Sequence, residues 1–257
     1  MKNRRLQEIE SYLRKKDRAS IEELSDTFQV SINTIRRDIK KLDEEGLIKK
    51  FYGGIAFKEV PLNSFENRFT ENLSAKRAIA KKAAELIREG DIIYIDSGTT
   101  TATILDNVNP NINLTIFTNS LDIIEAASKM ENVNLYTVGH HFRRKTRSFI
   151  EIESRERLMQ INITKAFMAV TGVSVSQGLA NQDYSETEIK SYICRTASQV
   201  ILLADRTKFN KPALLTFFQF KDIDFLITNF CQDEEILKLC KDNEIQLFCA
   251  SEEIPEK

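Results

Sequence analysis

Two clusters in this 257-residue sequence gather residue types that bind anions. The first is Asp96-Ser97-Gly98-Thr99-Thr100-Thr101, directly after the apolar run Ile92-Ile93-Tyr94-Ile95. A strand that turns at a glycine and opens a helix leaves the first amide N–H groups of that helix without internal partners, aimed at an anion. Three threonine hydroxyls add donors without adding charge, and Gly98 is expected to allow a sharp turn and close ligand approach. An ordinary helix cap uses the same residue types, so both readings stay open on composition. The run has neither the GK[ST] of a Walker loop nor a GxGxxG fingerprint, so no nucleotide cofactor is expected.

The second cluster is cationic. Ser31, Asn33, Thr34, Arg36, Arg37 and Lys40 lie off the apolar stripe Ile32, Ile35, Ile39 and Leu42, whose spacing predicts a helix with those four residues inward. Arg reads guanine bidentately and Asn reads adenine, and the N-terminal half of such a helix meets base edges in the major groove. Flanking cations then meet phosphates. A three-helix bundle with solvated charges would carry the same cations.

Each cluster needs elements to place it. Ser20 with Glu23 is a capping box that opens a helix with Ile21, Leu24 and Phe28 on one face. Gln29–Val30 forms a short turn, Ser31 caps the next helix, and Gly46 closes it. Leu6, Ile9, Tyr12 and Leu13 predict a helix ahead of these two, completing a helix-turn-helix arrangement. The stretch LIKKFYGG predicts a two-stranded wing that sets Lys49 and Lys50 toward a DNA backbone. Residues 58–73, with Pro61 and no sustained period, read as a linker. From residue 74 to 257, apolar runs alternate with helical patterns: Ile92–Ile95, Leu114–Thr118, Val133–Val138, Ala166–Val170, Val200–Ala204, Phe225–Thr228 and Gln246–Cys249. This predicts an α/β domain with a mainly parallel sheet, buried on both faces. The glycine turn then falls at a strand's C-terminal end, where open α/β sheets bind ligands.

Hydrophobic content of 42% with 29% charge excludes a disordered chain, and no apolar run nears the roughly 18 residues of a membrane span. The N-terminal residues lack the apolar stretch of a secretion signal, so a cytoplasmic location is expected. The formal charge of −1 conceals a division, with residues 1–58 at net +4 and the remainder at net −5. A basic head on an acidic body suits a nucleic-acid reader carried by a sensing domain. Cys194, Cys231, Cys240 and Cys249 form no CxxC pair, which favours free thiols over a metal site or a disulfide framework. Adjacent His140 and His141 read as surface loop, and no metal site is expected.

The head, SIEELSDTFQVSINTIRRDIKKLDEEGLIKKFYGGI, resembles the DNA-binding head of the DeoR-type regulators. The likeness includes Arg36-Arg37-Asp38, the Leu42-to-Gly46 ending and the Gly53-Gly54 pair. DSGTTT is similar to the phosphate-binding turn of that family's sensor domain, a domain related in fold to ribose-5-phosphate isomerase. The resemblance implies further effector contacts at Asn119 in TNS, at Glu186 and Lys190, and at Asp205 and Lys208 in LADRTK. Glu186 and Lys190 could instead be an i,i+4 helical ion pair. The sequence departs from the family at Gly139-His140-His141 and at Val170-Thr171-Gly172-Val173, both beside the implied pocket. The expected protein is a repressor of a carbohydrate operon: a homo-oligomer that binds operator DNA and answers to a phosphorylated sugar. The same scaffold could instead host a sugar-phosphate isomerase, with Asp205 or Glu186 as base and Lys208 stabilising an enediolate. A purely oligomerising body is a third reading.

Overall fold

A computed structural model describes residues 5–6, 8–9, 12–13, 16, 18–44, 48–51, 54–57, 64–174, 177–211 and 213–250. The chain divides into two units, Met1–Leu62 and Asn63–Lys257.

In the first unit the described residues between 5 and 16 are helical. They precede β1 (Arg18–Ala19), α1 (Ile21–Phe28), α2 (Ile32–Glu44), β2 (Ile48–Phe51) and β3 (Gly54–Phe57). The local chemistry follows the predicted pattern. Ser20 Oγ accepts the Glu23 N–H at 3.0 Å, capping α1. Gln29 takes a left-handed φ of 50° and ends it. Ser31 Oγ accepts the Thr34 N–H at 3.2 Å. Ile9, Leu13, Leu24, Ile35, Ile39, Leu42, Ile48 and Ile55 form one core. Ile32, expected inward, is 39% exposed, because the α2 contribution to that core begins only at Ile35. The wing is a three-stranded sheet in the order β1-β3-β2, not a two-stranded one. A two-residue strand such as β1 is too short to show a period in sequence. Gly46 and Gly53 lie outside the described residues.

The second unit opens with α3 (Phe65–Thr70) and α4 (Leu73–Ala84), then β4 (Ile92–Ile95), β5 (Leu114–Thr118), α5 (Leu121–Ala127) and β6 (Val133–Thr137). Next come β7 (His141–Arg143), β8 (Ser148–Ile150), α6 (Arg155–Met159), β9 (Lys165–Ala169), β10 (Gly172–Ser174), β11 (Gly178–Asn181) and α7 (Tyr184–Thr196). The chain ends with β12 (Gln199–Leu203), β13 (Leu215–Phe218), β14 (Phe225–Thr228), α8 (Glu234–Asp242) and β15 (Gln246–Cys249). Seven strands form one sheet in the order β15-β14-β12-β9-β4-β5-β6, and every pairing in it is parallel. Alternate residues of its central strands feed two separate cores, one containing Tyr94, Met168 and Leu202, the other Ile93, Phe167 and Leu203. That is the two-faced burial the continuous apolar runs predict. Two small antiparallel sheets, β10-β11-β13 and β7-β8, stand beside it.

Three expectations change. Part of the stretch read as a linker is structured: Ser64 Oγ caps α3 at the Asn67 N–H, Phe65 is buried, and its N–H donates to Lys145 O at 3.1 Å. One buried aromatic in a polar stretch leaves no period to read. Residues 58–63 lie outside the described residues. Second, no helix follows Asp96–Thr101. Ala102 N–H reaches Gly98 O and Ile104 N–H reaches Thr101 O, before a short 3₁₀ turn at Leu105–Asn107. The Thr101 hydroxyl donates back to Asp96 O at 2.6 Å and Gly98 O at 2.8 Å, a side-chain competition that favours turns over helix. Third, Cys231 and Cys249 form a disulfide with Cα atoms 5.8 Å apart, while Cys194 and Cys240 are buried free thiols. Pairing of Thr228 with Cys249 across β14 and β15 brings the two together, which an 18-residue separation in sequence conceals.

Candidate functional site

On the head, α2 presents Ser31, Asn33, Arg36, Arg37 and Lys40 to solvent. Thr34 is half-buried, its hydroxyl 2.9 Å from that of Ser31. Asp38, in the run Arg36-Arg37-Asp38, points the other way: it is 5% exposed and accepts from Arg5 Nε at 2.7 Å. One acid therefore ties α2 to the residues before it while its two neighbours remain outward. Lys49 and Lys50 are exposed on β2, and Lys50 is engaged by Asp43. The Arg18 guanidinium lies 5.2 Å from the Phe51 ring centre.

In the second unit the parallel sheet collects residues far apart in sequence at the C-terminal ends of its central strands. Asp96 follows β4 and is fully buried. Its Oδ2 accepts the Ala169 N–H at 3.0 Å and the Lys190 ammonium, which also donates to Ala169 O at 3.0 Å. Its Oδ1 is buried with no hydrogen-bond partner among the described residues, as are Ser97 Oγ and Asp205 Oδ2. Among the described residues, the amide N–H groups of Ser97, Gly98, Thr99, Thr100 and Thr101 also have no protein acceptor. Gly98 does not adopt a positive φ. It is required instead by close approach to β9: a Cβ there would lie 2.1 Å from Ala169 Cβ.

Glu186 and Lys190 are not an ion pair with each other. Glu186 Oε1 accepts from Ser148 Oγ at 2.7 Å and Oε2 from Asn181 Nδ2 at 3.0 Å, while Lys190 serves Asp96. Asn119 accepts from Tyr94 Oη at 2.9 Å through Oδ1 and donates to Phe149 O at 3.2 Å. Both of its side-chain polar atoms thus have a protein partner, with one N–H and one lone pair left over. Asp205 caps its 3₁₀ turn at the Thr207 N–H and lies 3.8 Å from Lys208 Nζ.

Residues beyond the predicted set join this group. Lys76 on α4 is 1% exposed and donates to Arg68 O. Burial, and then the nearby Lys208 ammonium, lower its pKa from 10.5 to about 8, with Asp205 opposing. Arg68 on α3 is lowered by burial and held up by Glu186, Glu71 and Asp96. Burial likewise lowers Lys208, offset by Asp205. Burial also drives the Tyr94 phenol well up, and the Asp96 and Glu186 carboxylates add to that shift. Arg68 and Lys76 carry no local motif. Their local signal is a cation on the apolar side of an amphipathic stretch, as Lys76 stands beside Ala75, Ile79 and Ala80, and the family resemblance runs through them, with Arg68 and Asn72 ahead of Lys76 and Ile79. The outcome is a buried polar group in which several acceptors and amides lack protein partners, surrounded by cations. The donors of such an arrangement suit an anion's charge, and its acceptors suit hydroxyl groups.

Known proteins agree with both units. The family model for the DeoR-like helix-turn-helix domain matches residues 5–60, and that for the DeoR C terminal sensor domain matches residues 71–229. The HTH-type transcriptional regulator IolR of Bacillus subtilis (strain 168) is 45% identical over 236 residues, 91% of this chain and 94% of that protein. The lactose phosphotransferase system repressor of Streptococcus mutans serotype c is 29% identical over 245 residues, 92% of this chain and 95% of its own. Among solved structures, ribose 5-phosphate isomerase A from Methanocaldococcus jannaschii aligns with a TM-score of 0.40 and 18% identity, over 54% of this chain and 55% of that one. The relatives in sequence are named as regulators and repressors, not as enzymes. With both of its units matched and a 45% identical regulator spanning nearly its whole length, the chain belongs to the DeoR family of DNA-binding transcriptional regulators.

Proposed function

We propose that this regulator represses a carbohydrate operon and that a phosphorylated sugar, bound at the buried polar group of the sensor unit, sets its grip on DNA. The observation that carries the reading is the set of partnerless groups around Asp96. The amides of 97–101 and Ser97 Oγ suit a phosphate, and Asp96 Oδ1 and Asp205 Oδ2 suit sugar hydroxyls. A buried acceptor without a donor costs about 1–3 kcal/mol, so a ligand that supplies the missing bonds recovers that cost on binding. Lys76, buried and donating to the Arg68 carbonyl, adds a positive charge for the phosphate. The Streptococcus mutans relative is named for repression of a sugar uptake system, which agrees with a sugar-derived signal.

On the DNA side, Asn33, Arg36 and Arg37 read bases, while Lys40 and Lys49 contact phosphates. Ser31 and Thr34 order the first turn of the reading helix. The effector acts by binding one arrangement of the heads better than another, since equal affinity for both shifts nothing. Coupling of about 1–3 kcal/mol would change operator affinity about 5- to 150-fold.

Thermal melts against a panel of pentose and hexose phosphates test the pocket. The cognate compound at 100 times its dissociation constant stabilises by about 2.7 kcal/mol. Thr100→Asp, which sets a carboxylate against the phosphate position, is expected to remove that shift and leave DNA binding intact. A panel without any response, in a protein that still binds DNA, contradicts the effector reading.

A further inference from the structure

The disulfide lies outside the polar group just described, yet it borders the turn that supplies two of that group's residues. Cys249 is exposed and Cys231 half-buried. Both line an open cleft of about 500 Å³ together with Arg206, Asn229, Phe230 and Asp233. A cleft of that size admits a small molecule. The opposite holds for the other two sulfurs: Cys194 and Cys240 are buried, and burial pushes the Cys240 thiol up to about 11 and that of Cys194 higher still. Thiol chemistry follows thiolate character and access, so it is confined to the cleft. An exposed disulfide is the labile kind, in contrast to a buried structural one.

The cleft is also wired to the Arg206–Lys208 turn. Asn229 Oδ1 accepts the Arg206 N–H at 3.1 Å. The Phe230 ring packs edge-on against Phe209 at 5.8 Å and lies 5.0 Å from the Arg206 guanidinium. Asp205 and Lys208 bracket that turn. The segment Asn229-Phe230-Cys231 thus holds the turn on one side and is pinned to the end of β15 by the disulfide on the other.

We propose that Cys231–Cys249 is a thiol–disulfide exchange site for a low-molecular-weight thiol, and that its redox state tunes the neighbouring anion site through the Arg206–Lys208 turn. The tuning rests on the anion-site reading above; the exchange does not. In the reducing direction, a thiolate attacks Cys249 Sγ and forms a mixed disulfide, and Cys231 leaves as a thiolate that takes a proton. A second thiol then attacks the mixed disulfide, releasing Cys249 as a thiol and the small molecule as its own disulfide. In the oxidising direction the small disulfide is reduced to two thiols as the protein bond forms. The Arg206 guanidinium at the cleft supplies a cation for an anionic peptide thiol.

Full-length protein equilibrated with glutathione at graded thiol-to-disulfide ratios, alkylated and mapped by mass spectrometry, tests the exchange. Cys231 and Cys249 should switch together between bonded and alkylated forms, with Cys194 and Cys240 unlabelled until the protein is denatured. Cys231→Ser should trap glutathione on Cys249. Hydrogen exchange tests the tuning: residues 204–209 should exchange at least about threefold faster when reduced, and the Cys231→Ser/Cys249→Ser variant should show the fast rate in both buffers. Failure of the bond to form at any ratio overturns the proposal, and equal exchange at 204–209 in both redox states overturns the tuning. Absence of any melting shift with inorganic phosphate in either state overturns the anion-site reading, and the tuning with it, while the exchange result stands.

Discussion

Lys76 is the residue whose cost and use are most directly opposed. Its folded pKa of about 8 lies below the ordinary 10.5, so folding disfavours its charged form. That cost is fully present below pH 8 and is relieved as pH rises toward 10.5. The unliganded protein therefore gains up to about 3 kcal/mol over that window from this one group. Lys76→Met should raise the melting temperature of the unliganded protein at pH 7, flatten the slope between pH 8 and 10.5, and abolish the sugar-phosphate shift. Wild-type protein should lose affinity for the effector over the same window as the ammonium deprotonates. Melts at pH 7 and pH 9, with and without effector, check all of these; an intact effector shift in the variant would show that Lys76 plays no part in binding. Arg37 is the counterpart on the head. It is exposed, with no hydrogen bond or ion pair to another described residue. Arg37→Ala should cost about 1–3 kcal/mol of specific binding, read by fluorescence anisotropy, with the effector melting shift unchanged.

At the level of elements, the turn after β4 depends on a contact across the sheet. A Cβ at position 98 would collide with Ala169 Cβ, so Gly98→Ala must move β4 against β9 at an expected cost of about 1–3 kcal/mol. Ala169→Gly in the same chain should recover most of the loss in denaturant titrations. If Gly98→Ala melts like the wild type, the packing explanation fails. The sequence reveals this glycine but not its reason. Period and composition display what a strand or helix does along the chain, so the parallel sheet, the capping serines Ser20 and Ser31 and the α2 stripe from Ile35 onward were all legible. Contacts across the chain are not displayed in that way. Asp96 meeting Lys190, Glu186 meeting Ser148 and Asn181, and Cys231 meeting Cys249 each join residues whose pairing is fixed only once the strand order is known. The same reason hid the role of Arg68 and Lys76, whose positions match the family but which enter the polar group from helices that precede the sheet. The helix expected after Thr101 failed on a nearer competition, since the Thr101 hydroxyl bonds the Asp96 carbonyl and shares that of Gly98 with the Ala102 N–H.

For the whole molecule, a regulator that recognises a two-fold operator needs two heads, and a single α2 covers only one half-site. Two-fold paired heads meet half-sites about 34–36 Å apart, one turn of DNA. Once an operator has been selected from random duplexes, inserting about half a helical turn between its half-sites should abolish tight binding in gel shifts. A full turn should restore part of it. Binding that ignores the insertion would mean that one head acts alone. The strand order has a further consequence for the order of synthesis. The described strand pairings of the head all close between residues 18 and 57, whereas β4 lacks its neighbour β9, the central strand of the large sheet, until residue 169 has been made. Local pairings form quickly and distant parallel ones slowly, and chains emerge N-terminus first. On the ribosome, the head can therefore close its pairings while the large sheet still lacks most of its strands, so a prematurely terminated product would carry a finished reading helix with neither a sensor nor a second head beside it.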